Sequence, residues 1–280
     1  DVVLIATRRV KKTRSTNVGI AALLSLWILI AAGATTNRAV LWGAPILFWQ
    51  GVVDRIPESR ENLERKVASQ ALSNLSAMLQ SEERHLEALT YSERAVELTP
   101  ERANYHYKLA SSYLRLGLTE EGEQQLRDTL ELEADFAWAH FLLGRLLLED
   151  GHERESRQHL ETAEQLMPKN ADLQNLLGLA YLGENQFAPA KEHFHKGIRI
   201  NPQIPEVYYH LALTLLSEGK AQQSIEYSNR ALQLKDDYWL AYNNLGLAHA
   251  QLNQPERVIF YLKKALAINP ADETIRKNLA

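Results

Sequence analysis

The side chains best suited to chemistry in this chain are nine histidines. His193 and His195, in the stretch HFH, are two residues apart and so face different sides of a helix. A helix that binds a metal presents its ligands at i, i+3 or i, i+4. His152 and His159 lie two turns apart, too far for a simple shared site. No cysteine is present, which removes thiol nucleophiles, cysteine-based metal sites and disulfides. No Ser/His/Asp set, glycine-rich phosphate loop or isolated carboxylate pair stands out. The histidines read as surface or packing residues. The sequence therefore points to no catalytic residue, no cofactor and no metal.

Without reactive side chains, function has to come from the surface that the fold presents. The 280 residues are 45% hydrophobic and 24% charged, with 13 Gly and 9 Pro, a composition that favours helix. The net charge of −4 is uneven. Arg8, Arg9, Lys11, Lys12 and Arg14 crowd the start, and beyond residue 14 the chain is net −8. A net-acidic body offers no positive field to displace counterions, which argues against nucleic acid as a partner.

From residue 69 the chain repeats every 34 residues. Six units follow without a gap: 69–102, 103–136, 137–170, 171–204, 205–238 and 239–272. Position 7 is Leu in each: Leu75, Leu109, Leu143, Leu177, Leu211 and Leu245. Position 8 is small (Ser76, Ala110, Gly144, Gly178, Ala212, Gly246), as is position 27 (Ala95, Thr129, Ala163, Gly197, Ala231, Ala265). Position 32 is Pro100, Pro168, Pro202 or Pro270 in four units. This register resembles the tetratricopeptide repeat family. The resemblance implies an all-α fold of helix-turn-helix units stacked as a right-handed superhelix. Small residues at 8, 20 and 27 let the two helices of a unit approach closely. Gly117, Gly151, Gly219, Asn185 and Asn253, all at position 15, suit the turn between them. The first unit departs from the pattern at Glu83 and Ser92, as an end unit would. Residues 273–280 read as a cap helix or the start of a seventh unit.

In this family the concave face is lined by first-helix positions 2, 5, 9 and 12. Here those positions make an apolar, aromatic trough: Tyr107, Trp138, Phe141, Leu179, Tyr209 and Leu213, with Leu148, Leu182 and Leu216. Such a trough suits an extended peptide or a partner helix. The alternative is that neighbouring helices cover it. Position 5 (Ser73, Tyr107, Phe141, Asn175, Tyr209, Asn243) has no lysine, so the carboxylate clamp of chaperone-binding relatives is not expected.

Upstream, residues 15–37 hold no charged side chain. A helix needs roughly 20 apolar residues to cross a bilayer, so a transmembrane helix is expected at about 17–36. The basic cluster RRVKKTR before it marks the cytoplasmic side, which sends the rest of the chain outward. The opening DVVLIA reads as the end of an earlier membrane helix. Between helix and repeats, residues 37–68 form an amphipathic junction in which Trp42 and Trp49 share one helical face. Tryptophan favours the membrane–water boundary, although the junction can equally dock on the first repeat. Arg38, Trp42, Trp49, Asp54, Pro57 and Arg60, followed by repeats, resemble the junction of transmembrane and TPR repeat-containing proteins. That family is related to O-mannosyltransferases and carries an extracytoplasmic array. Asn37 precedes Arg38 where the family more often has Arg then Asn.

Three functions follow as expectations. The first is a membrane-anchored scaffold that binds protein or peptide on the extracytoplasmic side of the inner or plasma membrane. The second is the acceptor-recognition arm of a polytopic glycosyltransferase whose catalytic part lies outside these residues. The third is a bacterial envelope-assembly or pilus-biogenesis factor, which would also use membrane-anchored repeats.

Overall fold

The computed structural model describes residues 45–53 and 62–279, and every regular element among them is an α-helix. The apolar segment 17–36, the basic cluster and Trp42 lie outside the described residues, as do Arg38, Asp54, Pro57 and Arg60. No helix among the described residues is long and apolar enough to cross a membrane. The chain divides into two compact units, residues 1–122 and 123–280.

The first unit holds α1 (Pro45–Val53), α2 (Asn62–Ser81), α3 (His85–Leu98), α4 (Ala103–Arg115) and the start of α5 (Thr119–Leu132). α2 runs back into the junction as far as Asn62, so residue 69 lies inside a helix. α1 docks on the α2–α3 pair: Ile46 is buried with Leu75, Leu79 and Ala88, and Trp49 and Val53 pack against the same cluster. Arg65 secures α2 by donating to the Leu98 carbonyl through Nη2 at 2.7 Å and Nε at 3.1 Å. Ser92, at a position where a large residue is usual, is buried in a hydroxyl chain: Ser76 Oγ lies 2.5 Å from it and Ser112 Oγ 3.0 Å. Ser76 also donates to the Ala88 carbonyl at 2.8 Å, so these buried hydroxyls are satisfied.

The second unit continues from the end of α5 through α6 (Ala137–Glu149), α7 (Glu153–Leu166), α8 (Ala171–Gly183), α9 (Phe187–Ile200), α10 (Pro205–Ser217), α11 (Ala221–Leu234), α12 (Trp239–Gln251), α13 (Pro255–Ile268) and α14 (Glu273–Leu279). From α7 on, each helix packs on the one before it, and alternate helices α6, α8, α10 and α12 also touch in sequence. First helices therefore form one layer. The core lies between first and second helices, with Leu143, Leu160, Leu173, Leu177, Phe194, Leu211, Leu245 and Leu262 fully buried.

The turn is built the same way in all six repeats. Position 15 sits in the left-handed region, with φ between 54° and 77°: Glu83, Gly117, Gly151, Asn185, Gly219 and Asn253. The next residue then donates its N–H back to the carbonyl at position 11, at 2.8–3.0 Å (Arg84 to Leu79, His152 to Leu147, Lys220 to Leu215 and their equivalents). That bond satisfies an otherwise orphaned carbonyl at the helix end. Glu83 adopts this geometry although a glutamate strains it by about 1 kcal/mol, which shows that the turn is imposed by the packed pair and not by its residue.

Close approach recurs as well. Position 8 of the first helix meets position 24 of the second in the first, third, fourth and sixth repeats. A Cβ on Gly144 would fall 2.6 Å from Leu160 Cγ, and one on Gly246 2.7 Å from Leu262 Cδ2. At Gly178 the phenyl ring of Phe194 fills the place where a Cβ would stand.

Candidate protein-binding face

On α6, α8, α10 and α12, positions 2, 5, 9 and 12 are spaced by three and four residues and share one stripe. Because these helices touch in sequence, their stripes lie side by side. Trp138, on α6, is 48% exposed, an unusual surface area for this side chain. It meets Phe141 edge-on at 5.6 Å. Phe141 itself is 8% exposed and belongs to the core cluster with Leu160, Leu173 and Leu177, so it supports the stripe from beneath. Leu179 on α8, and Tyr209 and Leu213 on α10, are half-buried, and Leu179 and Tyr209 pack against buried core clusters. Tyr209 packs edge-on to Tyr238 at 5.4 Å, and its partial enclosure raises its phenol above the ordinary value. Tyr107 is half-buried on α4 in the first unit.

Several polar groups on this layer are held by a second regularity, in which position 6 of one repeat bonds to position 5 of the one before. His210 Nδ1 lies 2.8 Å from Asn175 Oδ1, and Asn278 Nδ2 donates to Asn243 Oδ1 at 3.3 Å. In the first unit Lys108 Nζ donates to Ser73 Oγ at 2.8 Å, and burial lowers the Lys108 ammonium below its usual value. The Asn175 oxygen can only accept, so His210 carries its proton on Nδ1. Phe194, at 5.9 Å, and Tyr209, at 5.2 Å, enclose the ring, and burial pushes its pKa down to about 4. The four first helices carry one base, Arg145, and three acids, Glu149, Asp172 and Glu206. Arg145 leans toward Glu149 at 3.7 Å. The face is thus nearly uncharged, with apolar and aromatic groups between fixed amides.

The histidines fall into two kinds. His152 is exposed at the start of α7. His193 and His195 do face apart: His193 is buried, 2.8 Å from Gln174 Oε1, while His195 is half-buried and edge-on to Tyr227 at 6.0 Å. Sequence spacing along a single helix misses one contact. His140 and His159 meet through their Nδ1 atoms at 2.8 Å. They occupy positions 4 and 23 of one repeat, 19 residues apart. The same two positions bring together Gln174 with His193 and Tyr242 with Tyr261. A search at i, i+19 inside the repeat would have found the pair. Among the described residues no group of three metal-donating side chains occurs.

Family models described as tetratricopeptide repeat match residues 107–171, 171–204, 205–238 and 239–272. The chain is a tetratricopeptide repeat protein. Solved structures agree on the fold of this tetratricopeptide protein. The Cut9–Hcn1 hetero-tetramer of the APC/C is similar with a TM-score of 0.66 at 17% identity, over 83% of this chain but only 44% of that one. PilW, described as a widely conserved type IV pilus biogenesis factor, also reaches 0.66 at 17% identity, over 76% of this chain and 98% of its own. YrrB, a TPR protein with an unusual peptide-binding site, reaches 0.55 at 21% identity, over 66% of this chain and 94% of its own. At these identities the likeness shows the fold alone. No curated protein matches the chain. Nothing in these comparisons supports kinship with the O-mannosyltransferase-related membrane family.

Proposed function

We propose that this tetratricopeptide array is a binding scaffold whose first-helix layer in the second unit holds an apolar segment of a partner protein. The observation that carries the reading is the stripe of Trp138, Leu179, Tyr209 and Leu213: Trp138 stands 48% exposed against the buried Phe141, Leu179 and Tyr209 are half-buried against the core, and Leu213 is half-buried as well. Half-exposed aromatic and aliphatic groups on a rigid helix layer cost little ordering entropy on binding, which is the usual basis of an anchor pocket. The near absence of charge on these helices favours an apolar peptide or the apolar face of a helix over a charged tail. YrrB, of the same fold, carries a peptide-binding site by its own description. Peptides selected against the chain from a random library test this. Trp138→Ala combined with Leu213→Ala should weaken them at least tenfold while helical circular dichroism stays within a few per cent of the parent. Unchanged affinity would move the binding surface elsewhere.

The scaffold is held at a membrane in this reading, with segment 17–36 as anchor and the array on the extracytoplasmic side. The basic cluster at residues 8–14 supports that orientation. Trp49 contributes to docking α1 on the first repeat, a fixed join that would hold the array close to the bilayer. Protease added from the extracytoplasmic side of intact inner membranes should digest the array. Protection until the membrane is broken would reverse the orientation.

A further inference from the structure

We propose that this chain associates head to tail with copies of itself, the α2–α3 turn of one copy seating on the outer face of α13 in the next. The repeat register defines the seat. Position 21 of one repeat closes on position 14 of the repeat after it, and the two match in chemistry. Arg157 Nε donates to Glu184 Oε1 at 2.8 Å, and Lys191 Nζ to Glu218 Oε1 at 2.7 Å. Ile225 and Leu252 pack instead into one apolar cluster. In the sixth repeat position 21 is Ile259, and it stands 47% exposed. By the same matching, this place takes an apolar side chain.

Its surroundings say what else the occupant carries. Position 22 is polar in the first five repeats (Thr90, Gln124, Gln158, Glu192, Glu226) and is Phe260 in the sixth, 53% exposed. In the fourth repeat Glu192 pairs from that position with Lys196 at 3.3 Å. With phenylalanine there instead, Lys264 has no carboxylate one turn back. Its ammonium lies 4.9 Å from the Phe260 ring centre and 5.3 Å from that of Tyr242. Lys263, one turn after Ile259, is also exposed. Neither lysine joins an ion pair among the described residues. Two exposed apolar side chains bordered by two ammonium groups complement an apolar knob bordered by carboxylates.

The chain carries such a knob. Leu86, at position 18 on α3, is 72% exposed, more than any other large apolar side chain described. The same position is Glu, Arg, Ala or Gln in the other repeats. Around it, residues 82–87 hold three acids, Glu82, Glu83 and Glu87, against one base, Arg84, which Glu87 engages at 2.7 Å. Glu82 and Glu83 are exposed at the turn. Each patch repels its own kind and attracts the other, so the contact is heterologous and not a symmetric pairing. Leu86 and Phe260 are both exposed in the single chain, so the contact joins separate copies. A heterologous contact that repeats builds an open series. The area involved is small, so the association is weak, and its exposed charges make it weaker as salt rises. Neither patch contains a residue of the stripe, so self-association and peptide capture stand or fall separately.

Sedimentation velocity of the full chain in detergent micelles at low salt should show species that grow beyond the dimer as concentration rises. Leu86→Ser and Phe260→Ser each change an exposed side chain and should leave helical circular dichroism unchanged. Each alone should weaken association at least tenfold. Mixed in equal amounts they should form dimers and nothing larger, because only the intact turn of one variant and the intact α13 face of the other can meet. Lys263→Glu with Lys264→Glu in one chain, and Glu82→Lys with Glu83→Lys in another, should each stay monomeric alone and associate once mixed. A parent chain that sediments as one species at every concentration would overturn the proposal. So would serine variants that associate no better mixed than apart, or that grow past the dimer when mixed.

Discussion

Phe194→Ala lowers the stability of the second unit by about 3–5 kcal/mol, the usual cost of emptying a fully enclosed aromatic site. Phe194 is 0% exposed, and its ring lies between Ala190, Val207, Leu211 and Leu215. It also fills the space over Gly178 that a Cβ would need. The two positions are therefore coupled. Gly178→Val alone should destabilise by about 1–3 kcal/mol through overpacking. In the Phe194→Ala background the same valine projects into the vacated space, and its cost should fall or change sign. Chemical denaturation followed by circular dichroism reads all three variants. Strict additivity of the two substitutions would contradict the direct contact, because residues that share a space do not act independently.

Acid weakens the second unit before its carboxylates titrate. His210 has a folded pKa of about 4 against about 6.5 in an unfolded chain. Burial also lowers His159, His193 and His195. Over the interval from about 6.5 down to 4 the unfolded chain binds more protons than the folded one, so stability is full above about 6.5 and declines as pH falls. His210 alone accounts for a loss of about 2–3 kcal/mol at the acid end of that window. Glu161 and Glu218, held below the usual carboxylate range by burial-opposing bonds to Tyr181 and Arg157 and by Lys191, lose their contribution only below about pH 4.5. The decline between pH 6.5 and 5 therefore belongs to the imidazoles. Denaturant midpoints measured across this interval should fall for the wild type and fall markedly less for His210→Gln. Identical slopes for the two would show that the enclosed ring does not titrate as its surroundings dictate.

The repeats were legible because their constraints are local and recur. Leucine at position 7, a small residue at 8 and a turn residue at 15 each answer to one contact within a 34-residue unit, and that contact is repeated six times. Gly178 and Phe194 show why the pattern is so regular: one residue is absent so that the other can be large. Glu83 shows the converse. Its side chain argues against a left-handed turn, yet φ is 62°, because α2 and α3 must close on each other whatever residue lies between them. Ser92 read as a defect and is instead part of a buried hydroxyl chain whose partners, Ser76 and Ser112, lie on other helices. Single-helix periodicity could not join them.

The candidate face was legible only in part. First-helix positions identify a stripe, but not how deep each residue sits. Trp138 and Phe141 are three residues apart on α6, and one is 48% exposed while the other is 8% exposed. Burial of Phe141 comes from Leu160, Leu173 and Leu177, contributed by α7 and α8. The His140–His159 contact escaped for a related reason, since its 19-residue spacing crosses the turn between two helices.

Photo-crosslinking in the native cell tests the binding role of the first-helix layer most directly. A photoreactive residue placed in turn at Trp138, Leu179 and Leu213 should capture the same partner from all three sites. The same residue at Gln158 or Glu192, exposed on the second helices α7 and α9, should capture none of it. Capture of one partner from Gln158 and Glu192, with nothing from the stripe, would place binding on the second-helix surface and contradict the function proposed for this array.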